Sequence, residues 1–250
     1  MHNLKTIGLV TSGGDAPGMN AAIRAVVRKA NHNNFRVIGF ERGWEGLLNN
    51  TYICLDSRSV SGIIQRGGSM LRTSRSQAIK TKAGIKKAAQ TLALHGIGGL
   101  IVIGGDGSFR GASELSKETD ALMVGIPATI DNDVFGTDET IGFDTAVNTA
   151  VSMIDKIRDT AASHERIFVV EVMGRTKGFL ASTVGLAVGA EMILVPEQKY
   201  KLEKIIETMK ENKAKGKKSG IIVAAEGVGD NRRLAKEIEK TTGSEVRLSV

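Results

Sequence analysis

Short apolar runs recur along the chain at positions 6–10, 36–40, 100–103, 122–126, 167–172, 192–195 and 221–225. Each has the length of a buried strand. Between them the period changes. Met19, Ala22, Ile23, Val26, Val27 and Ala30 follow the i, i+3, i+4, i+7 spacing of an amphipathic helix. Ile85, Ala88, Ala89 and Leu92 do the same, with Gly96 placed as a stop. Two more sets are Val147, Val151 and Ile154, and Leu202, Ile205, Ile206 and Met209. Strand alternating with helix predicts an α/β fold with a mainly parallel sheet covered on both faces. A domain boundary is expected near residue 138, after the loop TIDNDVFGTDE, with a second sheet starting at Ile167.

The chain has 250 residues, 41% hydrophobic and 24% charged, so it can bury a proper core. Thirty glycines stand against three prolines, and many of the glycines directly follow the apolar runs. The net charge of +7 suits solubility or anionic small ligands such as phosphates. Nucleic acid is disfavoured, because aromatics make up only 4% and no basic run is interleaved with stacking rings. The single cysteine, Cys54, allows no intramolecular disulfide and fits a reducing compartment. No run approaches the roughly 18 apolar residues of a membrane span. A cytoplasmic protein with no membrane partner is expected.

Ligands of open parallel sheets bind at the carboxyl ends of strands, and four loops there carry chemistry. TSGGDAPGMN (11–20) has Gly13 and Gly14 before a helix N-terminus, which attracts anions. It matches neither the dinucleotide fingerprint nor the P-loop. GGDGS (104–108) sets Asp106 among glycines, where an oxygen ligand can hold Mg²⁺ while backbone amides face phosphates. GIPATIDND (125–133) places Asp131 and Asp133 two apart, on one side of an extended chain. One can act as a base, with its neighbour as metal partner or orienter. EVMGRTKGF (171–179) delivers Arg175 beside a glycine at the start of a helix, where it can stabilise charge on a transferring phosphoryl group. Each loop also reads as an ordinary turn. Together they supply the parts for phosphoryl transfer, in which positioning and charge neutralisation do most of the catalysis.

In this order the loops resemble the phosphofructokinase family. TSGGDAPGMNAAIR, RGGSMLRTSR, IGGDGSFRGA, GIPATIDNDVFGTDETIGFDTA and EVMGR match its motifs almost letter for letter, from Ile7 to about Val250. The resemblance implies two Rossmann-like three-layer domains, an ATP-binding one over 1–138 and a sugar-phosphate-binding one over 139–250, with the active site in the cleft between them. It implies phosphorylation of the C1 hydroxyl of fructose 6-phosphate. Gly14, Arg75, Asp106, Gly107, Ser108 and Gly111 would contact ATP and its Mg²⁺, with Asp106 serving the metal. Asp131 would be the base, Asp133 a support for it and for the metal, Thr129 a neighbour of the transferring group, and Arg175 the stabiliser of the transition state. Met173, Gly174 and Glu226 would hold the sugar. Arg166 and Arg247 would grip the 6-phosphate from a neighbouring subunit, so the site would need a homo-oligomer, commonly a tetramer in the family.

Members that use pyrophosphate typically carry Asp where Gly107 stands and Lys where Ala128 stands. Gly and Ala leave room for the phosphates of ATP, so ATP is the expected donor and pyrophosphate the alternative. An effector site is also implied, at Arg24, Arg28, Arg158, Glu191, Lys215 and Lys217, with ADP as activator and phosphoenolpyruvate as inhibitor. A solvated basic face is the other reading of those residues. One familiar bacterial form has arginine at the position of Ser57, whereas here Arg58 follows it. Family members continue past VRLSV into a Gly-His-Ile-Gln-Arg-Gly-Gly segment and further elements that return to the first domain. Without them, apolar surface on the first domain is expected to stand open, and a non-catalytic nucleotide-binding fragment is the rival to an active enzyme.

Overall fold

The structure is a computed structural model and describes residues 5–250. It divides into two compact units: residues up to Thr129 with Asp133–Gly142, and Ile130–Asn132 with Phe143–Val250.

The first unit runs β1 (Thr6–Ser12), α1 (Met19–His32), β2 (Arg36–Phe40), α2 (Trp44–Asn49), β3 (Tyr52–Leu55), α3 (Lys82–Leu94), β4 (Gly99–Gly104), α4 (Asp106–Leu115) and β5 (Leu122–Pro127). Its sheet has the order β3-β2-β1-β4-β5, parallel except where β3 returns antiparallel along β2. Strand alternation separates the two faces. Val10, Ile38, Phe40, Leu100 and Val102 pack with Trp44, Leu47, Leu92 and Leu115 from α2, α3 and α4. Met19, Ile23, Val27 and Ala30 form the buried stripe of α1, at the spacing the sequence predicts. Thr81 caps α3, its hydroxyl accepting from the Gly84 amide at 3.0 Å. On edge strand β5, Leu122 and Val124 are 65% and 54% exposed.

The second unit runs α5 (Phe143–Ser163), β6 (Ile167–Val172), α6 (Phe179–Ala187), β7 (Met192–Leu194), α7 (Leu202–Ala214), β8 (Gly220–Ala225), α8 (Asn231–Thr242) and β9 (Val246–Ser249). Its sheet is parallel throughout, in the order β7-β8-β6-β9. Val170, Val172, Ile221 and Val223 face α5 and α6, while Ile167, Val169, Ile222 and Ala224 face α7 and α8. Each unit is thus a sheet between helices. Every apolar run in the sequence became a strand. The antiparallel β3, the short α2, the polar α8 and the terminal β9 were not foreseen. Among the described residues no helix is long and apolar enough to cross a membrane.

Candidate active site

In the first sheet the chain leaves β1 towards β2 and later crosses back to β4, on the other side of β1. That reversal opens a crevice at the carboxyl ends of β1 and β4. The two glycine loops lie there side by side, with Ser12 opposite Gly104. Their approach is too close for a side chain: a Cβ on Gly104 would lie 2.4 Å from the Ser12 carbonyl oxygen and 2.7 Å from Ser108 Oγ. Ser108 is buried, and its hydroxyl donates to that same carbonyl at 3.0 Å. Its proton therefore ties the two loops together. Gly14 and Gly107 differ from Gly104. A Cβ on either would meet nothing within 4 Å, and neither adopts a positive φ. The fold does not require glycine at these two positions, and the space beside them is open.

Asp106 is the first residue of α4, and its side chain is 42% exposed. Arg110, one turn on, places Nε 2.9 Å from Asp106 Oδ2. The D-x-x-x-R spacing was the available signal for this pair. Among the described residues no group of three or more His, Cys, Asp or Glu gathers to hold a metal. A lone carboxylate beside open space fits Mg²⁺, which keeps several waters and arrives with phosphates, better than it fits a resident metal. Gly111 packs on α2: a Cβ there would lie 3.4 Å from the indole of buried Trp44. Thr129 also reaches this loop, since a Cβ on Gly105 would sit 3.5 Å from Thr129 Cβ. The Thr129 carbonyl accepts from the Thr140 hydroxyl at 2.6 Å.

A third segment closes against these loops. Asn20 is 4% exposed; its amide donates to the carbonyls of Arg66 and Gly68 at 2.9 and 2.8 Å, and its Oδ1 accepts from the Met70 amide at 2.8 Å. Thr11 Oγ1 donates to the Arg72 carbonyl at 2.7 Å, and Thr73 Oγ1 to that of Gly13 at 3.0 Å. The RGGSMLRTSR segment is thereby held against TSGG. Sequence reasoning missed Asn20, Thr11 and Thr73 as organisers; a polar residue on the buried face of α1 was the visible sign. Arg75 lines a cavity of about 550 Å³ with Ser76, Gln77, Thr81 and Lys87.

Asp131 is 8% exposed and Asp133 is half-buried. The expectation that they point the same way from an extended chain is not met. Asn132 between them has φ +52°, a left-handed residue that breaks strand alternation. The two carboxylates also fall in different compact units.

In the second unit β6 and β8 are neighbours, with Val172 opposite Ala225. The residues that follow them meet: Glu226 Oε1 accepts from the amides of Gly174 and Arg175 at 3.2 and 2.5 Å. Gly174 has φ +135°, which only glycine adopts without strain. Arg175 is exposed, and Met173 is 58% exposed beside it. Arg175 does not start a helix as expected. It sits in a turn before α6, and the Gly178 amide at that helix start donates to Glu197 at 3.0 Å. Glu197 carried no sequence signal.

Arg166 and Arg247 lie elsewhere, at the amino ends of β6 and β9. Arg166 Nε stands 2.7 Å from one oxygen of Glu245, and an Arg247 guanidinium nitrogen 2.6 Å from the other. The Arg166 guanidinium, in close ion-pair contact, and then the hydrogen-bonded Arg247 hold the Glu245 carboxyl below the usual carboxylate range. The candidate effector residues do not form one cluster within a unit. Arg24 donates to the Val60 carbonyl at 2.5 Å, and Arg28 is exposed on α1. In the second unit Arg158 donates to the Val188 carbonyl, and Lys217 pairs at 2.6 Å with Glu191, whose side chain is 4% exposed. Glu191 also accepts from the Ile221 amide, while Lys215 is exposed at the end of α7.

Two doubly wound sheets with glycine-rich loops at the carboxyl ends of their strands define an α/β protein of the phosphate-binding kind. The phosphofructokinase family model matches residues 6–250, and the chain belongs to that family. It is 52% identical over 247 residues, 99% of its own length and 77% of the relative's, to an ATP-dependent 6-phosphofructokinase of Clostridium botulinum. Phosphofructokinase of Pichia pastoris superposes with TM-score 0.91 at 33% identity, over 100% of this chain and 29% of that one. A pyrophosphate-dependent phosphofructokinase of Marinobacter aquaeolei superposes at 0.85 with 23% identity, over 98% of this chain and 68% of that one. At that distance it shares the fold, and the fold alone does not choose the donor.

Proposed function

We propose that the chain transfers the terminal phosphoryl group of Mg-ATP to the C1 hydroxyl of fructose 6-phosphate, giving fructose 1,6-bisphosphate and ADP. The observation that carries this reading is the open space at Gly14 and Gly107 on either side of the β1/β4 crevice, with Asp106 between them in sequence. Asp106 would hold magnesium through one oxygen. Bound magnesium would neutralise charge on the phosphates. Gly14, Gly107, Ser108 and Gly111 shape the phosphate side, and Arg75 its cavity. Asp131 takes the proton from the C1 hydroxyl; Asp133, which does not share its direction, would serve the magnesium instead. Thr129 lies beside the glycine loop, and Arg175 meets the charge that develops on the transferring group. Glu226, held by two amides through Oε1, presents Oε2 to sugar hydroxyls beside Met173 and Gly174.

Small residues at two positions favour ATP. Ala128 is 1% exposed, and its amide donates to the Gly104 carbonyl at 2.9 Å, so a lysine there would have to leave a buried position. Arg166 precedes β6 and Arg175 follows it, so six strand residues set them about 20 Å apart. The two arginines therefore stand at opposite ends of one strand. If Arg166 and Arg247 grip the 6-phosphate, a second copy of the chain supplies them, and the enzyme is a homo-oligomer, a tetramer on the family pattern, working in the cytoplasm. Regulation by ADP and phosphoenolpyruvate at Arg24, Arg28, Arg158, Glu191, Lys215 and Lys217 belongs to the same proposal.

The test is turnover with the donor exchanged. ADP formation from Mg-ATP should depend on fructose 6-phosphate, and pyrophosphate should not replace ATP. Turnover with pyrophosphate alone would reverse the donor assignment. ATP binding with no turnover on either donor would leave a nucleotide-binding fragment.

A further inference from the structure

Arg166 and Arg247 are already occupied. Glu245 sits between them, each of its oxygens facing one guanidinium, at 2.7 and 2.6 Å. Sheet register builds this arrangement. The Ile167 amide donates to the Glu245 carbonyl at 3.0 Å, so the residues preceding β6 and β9 are neighbours, and Arg247 lies opposite Phe168. The nearby acid Glu165 does not compete for the arginines; it pairs with Lys218 at 2.8 Å. A carboxylate and a phosphate offer arginine the same pair of oxygen acceptors, so Glu245 stands where phosphate oxygens would stand.

We propose that Glu245 is an internal stand-in for the 6-phosphate, a specificity-determining carboxylate that the substrate must displace from Arg166 and Arg247. The proposal rests on the reading that these two arginines bind the sugar phosphate. A dianionic phosphate monoester outcompetes a singly charged carboxylate for two cations, whereas singly charged ligands gain nothing by the exchange. Glu245 therefore raises the concentration of phosphate ester needed for binding and selects for the dianion. Its side chain is 38% exposed, so displacement needs no unfolding.

The test compares wild type with Glu245→Gln, Glu245→Asp, Arg166→Ala and Arg247→Ala. The readouts are KM for fructose 6-phosphate, kcat, and calorimetric binding of inorganic phosphate, with a thermal melt as the check on folding. The neutral isostere Glu245→Gln should lower KM about threefold, the scale of partly exposed ion pairs, with kcat unchanged. Phosphate binding should tighten in parallel, and Glu245→Asp should stay nearer to wild type. A folded Glu245→Gln protein with unchanged or raised KM and unchanged or weaker phosphate binding overturns the proposal; the carboxylate then merely orients the arginines. If instead Arg166→Ala and Arg247→Ala leave KM and phosphate binding untouched, the arginines are not the phosphate site, and the reading beneath the proposal is what fails.

Discussion

At the scale of single residues, the reaction divides between groups that hold and a group that moves a proton. Asp131 is assigned the proton. Asp131→Ser should lower kcat by about 10²–10⁴, the usual contribution of a positioned base, and leave KM nearly unchanged. Steady-state kinetics checks this; a raised KM with normal kcat would contradict it. Gly107→Asp probes the donor. A Cβ at 107 meets nothing within 4 Å, so the variant should melt like wild type. The new carboxylate would face the nucleotide phosphates, and KM for ATP should rise at least about tenfold through like-charge juxtaposition. Glu245 makes a pH prediction. Its pKa is held below the usual range by Arg166 first and then Arg247. A carboxyl with a lowered folded-state pKa contributes stability above its unfolded pKa and loses it as pH falls through the folded value. The Tm difference between wild type and Glu245→Gln should therefore exist at neutral pH and vanish in acid.

At the scale of elements, the site is only as rigid as the segment that closes over β1. Asn20 on α1 holds that segment by three hydrogen bonds to Arg66, Gly68 and Met70. Asn20→Ala would strand three backbone groups and should cost about 2–4 kcal/mol. A urea titration should show it as a lower midpoint with an unchanged slope. What the sequence revealed follows the same division. Buried parallel strands are continuous apolar runs, so all seven runs were legible, as were the α1 stripe and the loops following strands. YICL in β3 is an apolar run of the same kind and was legible by that criterion, whereas its antiparallel return along β2 was not. α8 was hidden because NRRLAKEIEKTT has just three apolar residues, Leu234, Ala235 and Ile238, all of them buried. The pairings Asp106–Arg110 and Arg166–Glu245–Arg247 differ in this respect. The first was visible in helical spacing. The second joins residues 79 positions apart in the chain, and only the β6–β9 register brings them together. The Asp131/Asp133 geometry failed because periodicity does not foresee a left-handed Asn132.

At the scale of the whole molecule, the spread of functional groups over both ends of the second sheet argues for shared sites. Arg175 and Glu226 follow strands, while Arg166 and Arg247 lie where strands begin. If one copy supplies Asp131 and another supplies Arg166, then mixing Asp131→Ser with Arg166→Ala and allowing subunits to exchange should restore activity. Up to about a quarter of the sites in randomly assembled hybrids would then be intact. Two inactive variants that stay inactive when mixed would place all of the groups in one chain. The central claim is transfer of phosphate to the C1 oxygen. Phosphorus NMR of the chain incubated with Mg-ATP and fructose 6-phosphate tests it most directly. The account predicts a second phosphate-ester resonance on the sugar at C1, growing in step with ADP. Inorganic phosphate growing with ADP while the sugar stays singly phosphorylated would contradict it.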